Sequence, residues 1–147
     1  MTKINLKKIS LGMLAFMFIS FVVQAMSHFV INVEHFSAVE FMRKEPILSL
    51  GIATMLIQGA VLSYIYSILT KNGSTIWNGI VYGNLMGIFL VSYIALVEPS
   101  KYTVPSVLEW IAVETISGFI QFSLFGLLLG YSILRVRVNL TFISMTG

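Results

Sequence analysis

Glu114 lies well inside the longest apolar stretch of this sequence, residues 107–134, whose other acidic residue, Glu109, is near its start. A charged carboxylate near the middle of a membrane helix costs on the order of 2.5–3.5 kcal/mol on insertion scales, unless a partner or water reaches it. Ionisable groups in such positions commonly carry protons or bind ligands. Glu114 is therefore the first candidate for chemistry in this chain.

A second set of polar side chains follows one face of another apolar stretch, residues 9–31. Gln24, His28 and His35 recur at i, i+4 and i+11, which brings them to one side of a helix. Counted from the corresponding helix end, His28 lies at a depth comparable to that of Glu114. The sequence therefore predicts a proton-titratable Glu114–His28 site that opens to the outer face.

Three further amides belong to the predicted polar site. Gln121 shares a helix face with Glu114, and Gln58 and Asn84 lie nearer the middle of two other apolar stretches. The predicted intramembrane polar residues are Gln24, His28, Gln58, Asn84, Glu114 and Gln121. An alternative stays open, in which these groups only bond to one another and fix helix register, at about 0.6 kcal/mol for each bond. For His28 this packing role is favoured, and His35 is expected at the membrane interface.

Metal, cofactor and catalytic chemistry find little support in these residues. His28 and His35 lie roughly 10 Å apart along a straight helix, which is too far to share one metal ion. The chain contains no cysteine, which excludes thiolate metal sites and cysteine redox chemistry. An enzyme would depend on His28 and Glu114 as an acid–base pair. We expect no metal, no cofactor and no catalytic residue, and we favour a protein that is not an enzyme.

The elements that must position these residues are membrane helices. Of the 147 residues 57% are hydrophobic and 10% charged, and the mean hydropathy is +0.92. An apolar run of about 20 residues is long enough to cross a bilayer as a helix. The sequence predicts an all-α integral membrane protein, a single domain formed by a bundle of four transmembrane helices. The predicted spans are residues 9–31, 47–69, 76–97 and 107–134.

Small residues line one face of several predicted spans. Because lipid gives helices no hydrophobic reason to associate, small residues that let two backbones approach closely drive packing there. Three glycines recur at intervals of four in the third span. The predicted helix-packing residues are Gly79, Gly83 and Gly87, Gly59 and Ser63 in the second span, and Gly126 and Gly130 in the fourth. The first span corresponds to the third, and the second to the fourth, in a weak repeat at an offset of 63 to 64 residues, which indicates either duplication or chance.

The connections carry their own local signals. Residues 32–45 have apolar side chains every third residue, which is typical of a short helix at the membrane surface. Pro46 suits the first position of the second span. The short polar turn at residues 71–75 predicts that the second and third spans are antiparallel neighbours. Ser106 and Glu109 have the spacing of a capping box at the start of the fourth span.

Basic residues are distributed unevenly between the two sides of the predicted bundle. With the N-terminus inside, the inner segments hold Lys3, Lys7, Lys8, Lys71, Arg135 and Arg137, whereas every glutamate falls on the outer half. The excess of Lys and Arg predicts that both termini are cytoplasmic, in an inner or plasma membrane. Trp77 and Trp110, at opposite helix ends, are expected as interfacial anchors.

The last residues of the chain alternate between apolar and polar types over residues 135–142. Strict alternation favours a half-buried strand. Such a strand could add to the sheet edge of a partner, and a frayed tail is the alternative.

Two classes of function remain open. The glycine faces favour a non-catalytic accessory, assembly or scaffold subunit that packs against other membrane subunits or against copies of itself in the lipid bilayer. The polar residues favour the alternative, a small carrier or ligand- or ion-binding membrane protein. No nucleic acid partner is expected, because no run of basic residues is longer than the two of Lys7 and Lys8.

Overall fold

The computed structural model describes residues 6–43, 45–70 and 73–145, and of residues 133–145 it describes only the helical backbone. All of its regular secondary structure in these residues is helical. Its helices are α1 (Leu6–Met26), α2 (Val33–Ser37), α3 (Leu48–Leu69), α4 (Ile76–Ser92), α5 (Glu98–Lys101) and α6 (Val107–Met145). A π-helical turn follows α1 at Ser27–Ile31, and another follows α4 at Tyr93–Val97.

Four helical segments are long and apolar enough to span a membrane: Leu6–Ile31, Leu48–Leu69, Ile76–Lys101 and Val107–Ser132. The prediction of an all-helical chain with four such segments is therefore confirmed. The third segment runs past its predicted end at residue 97, because the π-helical turn leads directly into α5. Pro46 is not the first helical residue, since Ile47 still has a non-helical ψ of 87° and α3 begins at Leu48.

The long helices pack as two hairpins. In the described residues α1 packs along α3, α4 packs along α6, and α1 and α6 join the two pairs. Each hairpin has the same order of elements: a long helix, a π-helical turn, a short helix and a second long helix. The core between them is largely aromatic and aliphatic, and its most completely buried members are Phe16, Tyr66, Phe125 and Leu129.

Close backbone packing between α4 and α6 depends on glycine. A Cβ atom on Gly79 would lie 2.8 Å from the Cα of Gly130, and one on Gly83 would lie 2.9 Å from the Cα of Gly126. Both distances are too short for real atoms, so only glycine fits. The glycine face of α4 is therefore filled by α6 of the same chain.

The α1–α3 pair has a looser contact of the same kind. A Cβ atom on Gly59 would meet the backbone of Met13 at 3.1 Å, and Ser63 packs against Gly12. Gly87 faces the ring of Phe122, where an added Cβ would lie 3.0 Å from the Phe122 Cβ. The small residues of α3 therefore also face a helix of the same chain.

The connection between the second and third spans does not make them close neighbours along their length. Side chains join α3 and α4 near the turn, where the Tyr82 hydroxyl donates to the Leu62 carbonyl oxygen at 2.7 Å and the Tyr66 and Tyr82 rings lie 5.0 Å apart. Elsewhere in the described chain the close helix pairs do not include α3 with α4. The antiparallel neighbour of α4 is α6, because glycines on both helices let their backbones approach more closely.

The connection after α1 differs from the predicted surface helix. Only the five residues of α2 are helical, and the chain then turns, with the Met42 amide donating to the Val39 carbonyl oxygen at 3.1 Å. Phe36 and Val39, two of the apolar residues behind the prediction, are buried inside the protein. The segment caps the bundle and does not lie along its surface.

The strand predicted at residues 135–142 is wrong, because α6 continues as a helix to Met145. No glycine or proline occurs between Gly130 and the end of this helix. Extending an existing helix fixes only one residue for each new hydrogen bond, so the helix continues where nothing interrupts it.

Candidate functional site

A cavity of about 270 Å³ lies among α1, α3, α4 with its π-helical turn, and α6. It brings together four of the six predicted polar residues, Gln24, Gln58, Glu114 and Gln121. Its other polar lining residues are Ser20 and Thr54, and its apolar walls are formed by Met55, Leu90, Val91, Ile94 and Phe122. Among the described residues that line this Glu114 cavity, none is basic.

Two of the glutamines form a fixed hydrogen-bonded chain on one wall. The Gln24 side-chain amide donates to Gln121 Oε1 at 2.8 Å, and the Gln121 amide donates to Ser20 Oγ at 2.9 Å. Ser20 and Gln24 lie one turn apart on α1, so both reach the same point on α6. Because the side-chain nitrogen of Gln24 is engaged in these hydrogen bonds, its side-chain oxygen, Oε1, remains as an acceptor at the cavity.

Glu114 differs from these two glutamines, because no hydrogen-bond donor or cation among the described residues contacts its carboxylate. The residue is only 9% exposed, yet within the described chain no hydrogen bond or ion pair reaches its side-chain oxygens. The side-chain oxygens of Glu114 are not fully buried. In the described regions, the fully buried side-chain atoms without a hydrogen-bond partner are His35 Nε2 and Ser63 Oγ. The Glu98 carboxylate adds a second negative charge that interacts with Glu114. A buried carboxylate in this setting needs a proton, a cation or water from the cavity.

Gln58 faces the same cavity from α3 and is also without a hydrogen bond among the described residues. Its side chain carries both donors and an acceptor, so it can turn either toward a ligand. Thr54, one turn away, instead directs its hydroxyl to the Leu50 carbonyl oxygen at 2.9 Å. The unengaged polar groups of the cavity are thus the Glu114 carboxylate, the Gln58 side-chain amide and the side-chain oxygen of Gln24.

His28 does not reach this cavity. Its ring stacks on Phe36, with centroids 3.7 Å apart and planes at 9°, and its Nδ1 lies 3.1 Å from the backbone carbonyl oxygen of Gln24. No contact joins it to Glu114 in the described part of the chain. His28 lies one turn beyond Gln24, within the π-helical turn that begins at Ser27, and its stacking on Phe36 keeps the ring against α2.

Asn84 is also outside the cavity. Its Oδ1 accepts a hydrogen bond from Ser123 Oγ at 2.8 Å, and its amide donates to the Ile80 carbonyl oxygen at 3.1 Å. The bond from Ser123 links α4 to α6 beside their glycine contact, and the bond to Ile80 fixes the Asn84 side chain on α4. Asn84 therefore has the packing role that the sequence left open as the alternative.

A second polar cluster lies at the end of the bundle that carries α2 and α5. His35 Nδ1 lies 3.5 Å from Glu109 Oε1, and the histidine is buried rather than interfacial. Trp110 is 1% exposed and its indole N–H donates to the Ile94 carbonyl oxygen at 3.1 Å, so it is a core residue and not an interfacial anchor. Trp77, in contrast, is 67% exposed.

The predicted capping box at the start of α6 forms only in part. The Glu109 amide donates to Ser106 Oγ at 3.3 Å. The Glu109 side chain, which a complete box would direct back to the Ser106 amide, instead faces His35. The carboxylate thus ties α2 to the first turn of α6.

Sequence reasoning missed Ser20, Thr54 and Gly51 as residues of the cavity. Ser20 has a detectable signal, because it precedes Gln24 by four residues and extends the same polar stripe by one turn. Gly51 and Thr54 have no such signal, since their position depends on where α3 separates from α4.

No group of three metal-binding side chains lies together in the described residues. Comparison with known protein families, with curated proteins and with solved structures finds no match to this chain.

Proposed function

We propose that this chain is an integral membrane protein that binds a small cation at Glu114 and acts as a carrier or binding protein for it. The observation that carries the proposal is the unpaired Glu114 carboxylate, which faces a cavity without a basic residue among its described lining. Both termini are cytoplasmic in this proposal, so the Glu114 cavity lies in the outer half of the bundle.

Electrostatics favours a cation over an anion or a neutral ligand. Two opposite unit charges 4 Å apart attract by about 4 kcal/mol at an effective dielectric of 20, against about 1 kcal/mol in bulk water. The Glu114 carboxylate and the free side-chain oxygen of Gln24 can both accept hydrogen bonds from a ligand. A cation that carries N–H donors, or a proton on Glu114, satisfies this arrangement, whereas an anion would face two negative or partly negative groups.

The accessory or scaffold role has less support than the sequence suggested. That role depended on glycine faces free for partners, but Gly79 and Gly83 pack against Gly126 and Gly130 of the same chain. Because these glycines pack against each other inside the bundle, they give no argument for contact with a second subunit or a second copy at those positions.

The test is cation-dependent thermal stabilisation of the purified, detergent-solubilised protein. A ligand at 100 times its Kd stabilises the folded state by about 2.7 kcal/mol. A panel of sodium, potassium, magnesium and n-butylammonium chlorides, at constant ionic strength, should include at least one that raises the Tm of the wild type. The gain should disappear in Glu114→Gln, which keeps the size and polarity of the side chain but removes its charge.

Glu109→Gln is the matched control, because it makes the same change one and a half turns earlier on the same helix, outside the cavity. It should keep the cation response of the wild type. An unchanged response in Glu114→Gln, or no response in any variant, would contradict the proposal.

A further inference from the structure

We propose that the Glu114 cavity opens sideways between α3 and α4 and admits a small amphiphilic amine from the bilayer. This inference rests on the proposed cation binding at Glu114 and specifies both the class of ligand and its route.

The opening follows from the way the helices pair. Near the turn, the hydrogen bond from Tyr82 to Leu62 and the Tyr66–Tyr82 ring contact hold α3 and α4 together. Apart from this link, the two helices pack on different partners, α3 along α1 and α4 along α6. The space that separates them there is the Glu114 cavity, whose lining residues come from both helices.

Exposure along the cavity indicates its direction. The rim residues Gly51 and Thr54 on α3 are exposed, as is Ile94 on the π-helical turn after α4. The floor residues Glu114 and Gln121 on α6 are buried. A path therefore leads from the side of the bundle, between α3 and α4, to the carboxylate.

Gly51 marks the mouth of this path. A Cβ atom added at Gly51 would meet no other atom within 4 Å, in contrast to the crowded glycines of α4 and α6. The space in front of Gly51 is thus open, and a larger side chain can enter it without moving the backbone.

The surroundings of the mouth are suited to lipid. Leu50 and Ile52 flank Gly51 on α3, Tyr93 flanks Ile94, and all three flanking side chains are exposed. These positions lie within segments long and apolar enough to span a membrane. A molecule that reaches the mouth from this side must first partition into the apolar part of the bilayer.

The lining of the cavity selects an amine among cations. Hard divalent cations need six or more oxygen ligands, which Glu114, Gln24 and Gln58 do not supply together. An ammonium group needs only a few acceptors, and its apolar body can pack against Met55 and Phe122. The volume of about 270 Å³ falls just below the usual range for ligand cavities, so the amine must be small.

The experiment measures binding of radiolabelled n-hexylammonium to the full chain in phospholipid nanodiscs, with empty nanodiscs subtracted. Wild type should bind, and Glu114→Gln should lose at least tenfold in affinity. Excess sodium chloride, with ionic strength held constant by choline chloride, should not displace the amine. Lengthening the alkyl chain from butyl to hexyl should strengthen binding by more than the gain in empty nanodiscs.

The sideways route is tested by blocking its mouth. Gly51→Leu should weaken hexylammonium binding at least tenfold while leaving the Tm near that of the wild type, because the added Cβ meets no atom within 4 Å and the rest of the side chain enters the open mouth. Ala53→Leu is the matched control, since Ala53 is exposed on α3 and does not line the cavity. Thr54→Leu is a second block should Gly51→Leu not fold.

The outcomes separate the two proposals. Glu114-dependent stabilisation by sodium or magnesium, without hexylammonium binding, would overturn the amine assignment and leave cation binding in place. Hexylammonium binding that is equal in wild type, Gly51→Leu and Thr54→Leu would overturn the sideways route. Absence of any Glu114-dependent cation response would overturn both.

Discussion

At the scale of single residues, Gln121 and Gln58 have different roles in the same cavity. Gln121 holds α1 to α6 through its bonds with Gln24 and Ser20. Gln58 makes no hydrogen bond among the described residues and is free to face a ligand. The difference allows the structural and the ligand-facing amide to be separated experimentally.

Replacing Gln121 with leucine should destabilise the protein. The change removes two interhelical hydrogen bonds at nearly constant volume, and at about 0.6 kcal/mol for each bond the expected loss is about 1 kcal/mol. Reversible unfolding in mixed micelles, followed by helical circular dichroism, provides the measurement. Gln58→Leu is the control and should unfold like the wild type. Equal effects of the two changes would contradict the assigned hydrogen bonds.

Much of the polar site can be predicted from residue type and spacing. Gln24, Gln58, Glu114 and Gln121 are predicted from the sequence and line one cavity in the structure. His28 follows the same spacing, but it lies in the π-helical turn at Ser27–Ile31 and stacks on Phe36 instead of lining the cavity. A π-helical turn depends on one inserted position in the hydrogen-bond pattern, which residue spacing alone does not reveal.

At the scale of elements, the tightest contact is the one between the glycines of α4 and α6. Gly83→Ala should destabilise the bundle by about 1–3 kcal/mol, the usual cost of an added methyl group in a filled interface. The reason is that its Cβ would lie 2.9 Å from the Cα of Gly126, which is backbone and cannot rotate away. Unfolding in mixed micelles measures the effect.

Gly51→Ala is the matched control for this substitution. It makes the same change in a helix of the same protein, but its Cβ meets nothing within 4 Å. Alanine favours the helix over glycine by roughly 0.5–1 kcal/mol, so this variant should be as stable as the wild type or more so. A loss in Gly51→Ala equal to that in Gly83→Ala would show that packing is not the cause.

The hydrogen bond from Tyr82 to the Leu62 carbonyl oxygen links α3 to α4. Removing it in Tyr82→Phe should loosen α3 more than α6, because α6 keeps its glycine contact with α4. Backbone amide hydrogen exchange in the turn-proximal half of α3 should accelerate roughly threefold, as expected for about 0.6 kcal/mol. Equal acceleration in α6 would indicate general destabilisation instead.

Helix positions are the most predictable feature at this scale, because apolar length alone identifies all four long segments. The short elements are less predictable. The alternation at residues 135–142 resembles a strand, but continuation of α6 outweighs it. The apolar residues of 32–45 suit a surface helix, but burial of Phe36 and Val39 draws the segment against the bundle.

At the scale of the whole molecule, orientation determines which side the Glu114 cavity serves. The excess of Lys and Arg on the turn side predicts that both termini are cytoplasmic. A reporter inserted after Gly73 should therefore behave as cytoplasmic, and one inserted after Lys101 as external. The reverse pattern would place the Glu114 cavity in the cytoplasmic half of the bundle.

The order of helix pairing could not be predicted from the sequence. A tight turn between the second and third spans favours pairing α3 with α4, because short connections usually join neighbours. The structure instead pairs α4 with α6 and α1 with α3. Which pairing wins depends on how closely two backbones can approach, and this requires knowing which glycine faces meet.

The contact between α4 and α6 also has a consequence for biosynthesis. The chain is made from its N-terminus, so α4 leaves the ribosome with its glycine face uncovered, and Gln24 lacks its partner on α6. The glycine face of α4 is covered, and Gln24 gains its partner, only when α6 is present. A chain that stops before α6 is therefore an incomplete bundle, which exposes a glycine face and an unpaired Gln24 amide that the finished protein covers.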